Sequence, residues 1–317
     1  MKRIDRRWAI VLAGGQGTRL SSLTMRGGVA VPKQFCTVNG GPTLLQLALR
    51  RAERIAGRGR VSIVVAPEHR HWWDEDLRSY VDARVVVQPH NRGTAAGVLL
   101  PLTAVCGQDR DTTVFILPSD HWVADEKILN RELQRAGRAV DAEPDTVVLL
   151  GTKPDAPDPG YGWILPGLET APGVFRIETF IEKPAPRTAL ELLATGAVWN
   201  SFLIAARART LWALYEKRLP TLWHRMRAAL DPDAHAQYAE LPSHDFSRDM
   251  LAGAEPLLRL LRVPECGWTD LGTPERVAAS VERARTRRAS RRSWPRDRVD
   301  LAWALAGGTH DRNEVSP

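Results

Sequence analysis

Cysteine is scarce in this chain. Its three residues, Cys36, Cys106 and Cys266, are widely scattered and form no CxxC pair, which argues against a disulfide framework and a cysteine-based zinc site. They read as small buried or half-buried thiols. No run of 18 or more apolar residues occurs, so no membrane-spanning helix is expected. The start, Met1 to Arg7, lacks the long apolar region of a signal peptide, and a cytoplasmic protein is the expectation. Two common nucleotide signatures are also missing. There is no G-x-x-x-x-G-K-[ST], which excludes a P-loop, and no third glycine in G-x-G-x-x-G register, which weakens a dinucleotide fingerprint.

What is present suffices for a sizeable core. The 317 residues are 44% hydrophobic, enough for one large α/β domain or two modest ones. The net charge of +7 invites a nucleic-acid partner, but its location argues against one. Between Glu282 and Arg298 lie eight arginines, opposed only by Glu282 and Asp297, so six of the seven excess charges sit in that stretch. It lacks the interleaved aromatics of an RNA-binding module and reads as a solvated helix face or a frayed tail. No nucleic acid and no membrane are expected as partners, and homo-oligomerisation stays open.

The most informative segment runs from Val11 to Leu20, V-L-A-G-G-Q-G-T-R-L, with Pro32-Lys33-Gln34-Phe35 downstream. Ala9–Ala13 has the look of a buried parallel strand ending in Gly14-Gly15, where the backbone can approach a ligand without interference from Cβ. Amides freed in such a turn, with Gly17 still within it, favour anions. Arg19 adds a planar cationic fork suited to phosphate oxygens, and Lys33 adds a compact point charge. The segment is a candidate phosphate cradle.

Strand-like runs at Trp8–Ala13, Val61–Ala66, Arg84–Gln88, Thr113–Leu117 and Thr146–Gly151 alternate with helical patterns at Thr43–Ile55, Ala95–Cys106 and Lys127–Ala142. Such βαβ alternation predicts an α/β fold with a parallel, doubly wound sheet and ligands at the strands' carboxyl ends. Gly14-Gly15, Gln88-Pro89 and Pro118-Ser119-Asp120 all fall at such ends. The second half is less regular. Asp155–Gly160 is turn-rich, and Tyr161–Leu165, Val174–Ile181 and Trp199–Ala205 read as a sheet extension over a pocket. Leu211–Leu230 and Val277–Arg292 read as helices.

Further motifs follow in order: Asn91-Arg92-Gly93-Thr94-Ala95, Pro118-Ser119-Asp120-His121, Tyr161-Gly162, Phe180-Ile181-Glu182-Lys183-Pro184, Trp199-Asn200-Ser201 and Gly267-Trp268-Thr269-Asp270-Leu271-Gly272. Together with the glycine turn and P-K-Q-F, they resemble the sugar-1-phosphate nucleotidyltransferase family, over roughly residues 8 to 282. P-K-Q-F, N-R-G-T-A and W-N-S resemble its mannose-1-phosphate guanylyltransferase branch. The resemblance implies a Rossmann-like nucleotide-diphospho-sugar transferase fold, a mostly parallel mixed sheet flanked by helices. It also implies an enzyme that turns GTP and mannose 1-phosphate into GDP-mannose and pyrophosphate. The expected division is a catalytic domain over 1–282 and a basic tail over 283–317, partly helical or disordered. Only residues 273–317 follow Gly272, too few for the fused isomerase or long β-helix of some relatives, so a monofunctional chain is expected.

The chemistry constrains the roles. A sugar 1-phosphate is already largely dianionic near pH 7, so attack on the α-phosphorus calls for in-line positioning and charge neutralisation rather than a strong base. Mg2+ is the implied cofactor, with Asp120 and Asp270 as its carboxylates. Arg19 and Lys33 stabilise the triphosphate and the departing pyrophosphate. Glu182 accepts sugar hydroxyls while Lys183 holds the sugar's phosphate. Neighbours on a strand point to opposite faces, so an irregular backbone before Pro184 is required if both reach one ligand. Gly162 and Asn200 complete the sugar pocket; Gln88, Gly93 and Thr94 are implied to meet the base or ribose. His121 is expected to be a hydrogen-bonded structural histidine, and Trp199 and Trp268 packing residues.

Two departures stand out. Ser21-Ser22-Leu23 replaces the W-P-L of many relatives, and Phe202 follows Ser201 where glycine is common. Alternatives stay open at this point: the same reaction with another base or sugar 1-phosphate, such as UTP or dTTP with glucose 1-phosphate, or a catalytically silent sugar-nucleotide-binding regulator on the same fold.

Overall fold

The structure, a computed structural model, describes residues 6–228, 238–287 and 298–307. Among them, eleven strands run in chain order: β1 (Arg7–Ala13), β2 (Met25–Arg26), β3 (Val29–Ala30), β4 (Val61–Val65), β5 (Arg84–Val87), β6 (Thr113–Pro118), β7 (Val147–Thr152), β8 (Gly162–Ala171), β9 (Val174–Glu182), β10 (Val198–Arg207) and β11 (Leu258–Val263). Nine build one mixed sheet in the order β5-β4-β1-β6-β10-β7-β11-β9-β8, while β2 and β3 pair separately.

Pairing is parallel from β5 through β6 and again between β7 and β11. The strands β10, β9 and β8 run antiparallel to their neighbours. The central strands are buried on both faces, as near-continuous apolar runs require. Their period of two sorts side chains into two cores. Val11, Ile63, Phe115 and Leu117 face one layer, with α1 (Leu44–Ala56) and Leu129, Leu133 and Ala136 of a helix over Glu126–Ala142. Ile10, Val64, Val114 and Ile116 face the other, with residues of the helix Gly93–Gln108. Thr43 and Gln46 start α1 with a reciprocal capping box.

Two sequence expectations are corrected. The strand expected over Trp199–Ala205 does not belong to a sheet extension: β10 lies inside the main sheet, antiparallel between β6 and β7. The helix expected over Leu211–Leu230 breaks into Ala208–Arg218 and Pro220–Ala228, because Pro220 has no N–H to continue the first helix. Its last residues, 229 and 230, lie outside the described ones.

The segment expected as a basic, partly helical or disordered tail over 283–317 is described only in part. Pro274–Arg287 is one helix crossing that boundary. Residues 298–307 pack into the body: the Thr37 amide donates to the Val299 carbonyl at 2.9 Å, the Leu301 amide donates to the Thr37 carbonyl at 2.9 Å, and Val299 and Leu301 are buried. Arginines 288, 291, 292 and 296 of the basic stretch lie outside the described residues. Among the described residues, no helix is long and apolar enough to cross a membrane.

Candidate active site

A cavity of about 400 Å³ opens at the carboxyl ends of β1 and β6. Its floor begins with the glycine turn, where Gly15, Gly17 and the exposed Arg19 line the wall. Gly17 has φ 63°, and a Cβ there would meet the Lys33 amide nitrogen at 2.8 Å, so the loop and the Lys33–Phe35 turn can be this close only with glycine. Gln34 fastens them: its buried Nε2 donates to the carbonyls of Ala13 at 3.1 Å and Gly15 at 2.7 Å. Arg19 makes no hydrogen bond or ion pair with another described residue, which leaves its guanidinium available to an anion.

Lys33 is buried and turns its ammonium into the cavity. Nζ lies 2.9 Å from Asp120 Oδ2 and donates to the main-chain carbonyl of Asp270. Asp120 lies two residues past the end of β6, and 37% of its side-chain surface stays exposed, so a ligand can reach it. Asp270 arrives from 150 residues downstream because Trp122 and Thr269 exchange main-chain hydrogen bonds at 3.0 Å, fastening its loop beside Asp120. Asp270 Oδ1 accepts from Tyr161 Oη at 2.6 Å, Arg276 Nη1 at 2.9 Å and the Gly272 amide at 3.0 Å.

Burial alone would raise both carboxyls. Lys33 leads the interactions that hold Asp120 below its ordinary value, and the Tyr161 hydroxyl leads those that hold Asp270 below its own. Both stay ionised near neutral pH. Asp270 Oδ2 accepts no hydrogen bond among the described residues, and Asp120 Oδ1 lies 3.7 Å from His121 Nε2, beyond hydrogen-bond reach. Two ionised carboxylates with an oxygen each to spare are a fitting donor set for a hard divalent cation. Among the described residues, no group of three or more His, Cys, Asp or Glu side chains forms a metal cage.

The opposite wall comes from β8, β9 and β10. Glu182 ends β9, and Lys183 takes φ 49°, a left-handed conformation uncommon for lysine. This supplies the irregular backbone that adjacent strand residues need to reach one cavity, and both line it. Lys183 Nζ sits 3.7 Å from Glu182 Oε1. Burial and then the neighbouring Asp245 push the Glu182 carboxyl up to about 7. Gly162 and Asn200 complete the wall, and a Cβ on Gly162 would meet Glu182 Oε2 at 2.5 Å.

Beside Asn200, the register of β10 against β7 shifts, and Phe202 has φ 56°. The side chain that replaces the common glycine is thus held in a conformation glycine adopts freely. Its ring lines the cavity and packs edge-on against Phe246, with centroids 5.8 Å apart. Leu271, next to Asp270, is likewise left-handed at φ 50°. Strained backbone therefore gathers at three points of one cavity.

Not every expected residue reaches the lining. Thr94 does, and its Oγ1 accepts from the Phe246 amide at 2.7 Å. Gly14, Gln88 and Gly93 stand behind the wall. Gln88 is buried against Gly14, and Gly93 has a packing reason of its own, since a Cβ there would lie 2.2 Å from the His244 carbonyl oxygen. The expected hydrogen-bonded His121 is corrected: buried Nδ1 has no partner among the described residues, and the ring is held edge-on by Trp268 at 5.2 Å. Burial keeps its imidazole below the ordinary value, hence neutral. Trp199 is buried packing, stacked on Tyr161 at 4.2 Å, whereas Trp268 also borders the cavity. All three cysteines are buried.

Gln34, Tyr161, Asp245 and Arg276 were not singled out by the sequence reading. Gln34 and Tyr161 carried a signal as members of quoted motifs; Asp245 and Arg276 carried none.

An open α/β sheet that gathers a glycine turn, paired cations and paired carboxylates at its strand ends defines a nucleotide-binding α/β protein. The chain belongs to the nucleotidyl transferase family, whose model matches residues 8–285. It is 30% identical over 278 residues to the alginate biosynthesis protein AlgA of Pseudomonas fluorescens, covering 83% of this chain and 56% of that protein. It is 30% identical over 284 residues to the mannose-1-phosphate guanylyltransferase of Escherichia coli K12, covering 84% and 58%. The chain therefore spans somewhat over half the length of these relatives. A crystal structure described as mannose-1-phosphate geranyltransferase from Thermus thermophilus superposes with a TM-score of 0.76 at 29% identity, covering 86% of this chain and 79% of that one. The nucleotide-diphospho-sugar transferase fold is shared.

Proposed function

We propose that this protein transfers a guanylyl group from GTP to mannose 1-phosphate, forming GDP-mannose and pyrophosphate. A phosphate oxygen of the sugar phosphate attacks the α-phosphorus of GTP in line, and the bond from that phosphorus to the α,β-bridging oxygen breaks as pyrophosphate leaves. The observation that carries this reading is the meeting of Lys33, Asp120 and Asp270 at the junction of two unlike cavity walls.

On one wall, the glycine turn and Arg19 receive the triphosphate, with Thr94 toward the nucleoside. On the other, Lys183 holds the sugar's phosphate, while Glu182 and Asn200 take its hydroxyls, and Gly162 leaves room for the ring. Lys33, already turned into the cavity, meets the charge that develops on the departing pyrophosphate. His121 is assigned no proton transfer, because a dianionic nucleophile needs no general base. Asp120 and Asp270 would hold Mg2+, which would supply charge neutralisation at the reacting phosphates. The Escherichia coli relative named mannose-1-phosphate guanylyltransferase supports the choice of sugar and base, and the Thermus thermophilus structure supports the choice of sugar.

The direct test is product identification. Incubation with GTP, mannose 1-phosphate and Mg2+ is expected to yield GDP-mannose and pyrophosphate in equal amounts by mass spectrometry and pyrophosphate assay. GTP hydrolysis to GMP and pyrophosphate without sugar transfer would refute the proposal, as would complete inertness.

A further inference from the structure

Arg276 lies in the first turn of the helix Pro274–Arg287 and is not itself part of the cavity wall. Its guanidinium nevertheless fastens three parts of that wall. Nη1 donates to Asp270 Oδ1 at 2.9 Å, and Nη2 donates to the Asp158 carboxylate. Its plane is held over aromatic faces, with Cζ 4.3 Å from the Tyr161 ring centroid and 5.6 Å from that of Trp199. Tyr161 itself donates to the same Asp270 oxygen at 2.6 Å, and the Gly272 amide to that oxygen at 3.0 Å.

Three donors on Oδ1 stop the carboxylate from rotating. The other oxygen, Oδ2, then has one direction in which to face, without a protein hydrogen bond among the described residues to consume it. Asp158 precedes the Gly160–Gly162 segment of the sugar-side wall, so the same guanidinium sets the spacing between that wall and Asp270. Lysine could not reproduce this, because one ammonium lacks the planar fork that serves two carboxylates and stacks on a ring.

We propose that Arg276 is a positioning residue for nucleotidyl transfer, acting through Asp270 to aim its free oxygen at a divalent cation and through Asp158 to hold the sugar-side wall at its working distance. The inference rests on the reading of Asp270 as a cation ligand. Partners of this kind, one step removed from the metal, typically shift metal affinity by about 10- to 100-fold when removed.

The test uses Mn2+ as the probe, titrated against the full chain without nucleotide and followed by electron paramagnetic resonance of the free ion. Arg276→Gln is expected to weaken Mn2+ binding by roughly 10-fold or more, Arg276→Lys to recover part of the loss, and Asp158→Asn to weaken it less than Arg276→Gln. Asp270→Asn serves as the control. If Asp270→Asn binds Mn2+ like the wild type, the underlying reading of the site is wrong. If Asp270→Asn loses the ion while Arg276→Gln keeps wild-type affinity, the positioning role alone is overturned. Should Arg276→Gln fail to fold, wild-type affinity in both Arg276→Lys and Asp158→Asn overturns it equally.

Discussion

The Lys33 ammonium lies 2.9 Å from the Asp120 carboxylate, on a side chain buried at the seam between the two walls of the cavity. A cation held there needs no rearrangement to meet phosphate charge as it develops, and preorganised donors of this kind carry large kinetic effects. Lys33→Met keeps the aliphatic length and removes the charge. Its kcat is expected to fall by about 10²- to 10³-fold. Steady-state pyrophosphate release measures it, and a loss of only twofold would mean that Lys33 serves the fold alone.

Gly162→Ala probes the sugar side. The new methyl would meet Glu182 Oε2 at 2.5 Å and the Asn200 Cβ at 3.3 Å, displacing the two side chains assigned to sugar hydroxyls. Overpacking of this sort costs about 1–3 kcal/mol, so the KM for the sugar phosphate should rise roughly 10-fold while that for the nucleotide stays within about twofold. Equal rises in both constants would argue against a divided cavity.

Glu182 links the pocket to pH. Burial first, then Asp245, push its carboxyl up from 4.5 to about 7, with Lys183 and Arg248 opposing. The folded state therefore holds a proton that the unfolded chain has released between those two values. This contribution to stability is full at low pH and is lost as pH rises through the folded value near 7. Glu182→Gln should flatten the decline of Tm between pH 5 and 7.5 (about the window set by the two states). Superimposable pH profiles for the variant and the wild type would place the titration elsewhere.

Arg298 ties the C-terminal segment to the domain. Nη1 pairs with the buried Asp76, whose Oδ2 also accepts from Thr43 Oγ1 at 2.5 Å, and Nη2 lies 3.6 Å from Glu75. Arg298→Ala strands a buried carboxylate, a change that costs about 3–5 kcal/mol for a buried pair and should lower Tm by several degrees. Truncation before residue 298 also removes the pairing with Thr37 and should destabilise at least as much. Differential scanning calorimetry decides; an unchanged Tm for both would restore the picture of a peripheral tail.

Much of the fold is legible in the sequence alone. The first half announces itself because each buried parallel strand is a short apolar run, as β1, β4 and β6 show, and the helices over Leu44–Ala56 and Glu126–Ala142 carry an amphipathic periodicity. β10 was misplaced because its neighbours lie tens of residues away in the sequence and an apolar run states no partner. β11 escaped notice since Arg259 and Arg262 interrupt its apolar pattern; one is neutralised by Glu143 and the other lies over Phe175. In the site, the motif residues Lys33, Asp120, Glu182 and Asp270 line one cavity. Arg276 was invisible because its partners Asp158 and Tyr161 are more than 100 residues away, and no local spacing encodes that approach.

The proposed chemistry meets its sharpest test in a panel of initial rates of pyrophosphate release, with GTP, UTP and dTTP each paired with mannose 1-phosphate and glucose 1-phosphate in the presence of Mg2+. GTP with mannose 1-phosphate is expected to give the highest kcat/KM, at least about 10-fold above every other pair, a preference of roughly 1.4 kcal/mol in transition-state binding. A higher kcat/KM for UTP or dTTP with glucose 1-phosphate would overturn the proposed specificity, and pyrophosphate release from none of the pairs would overturn the proposed reaction.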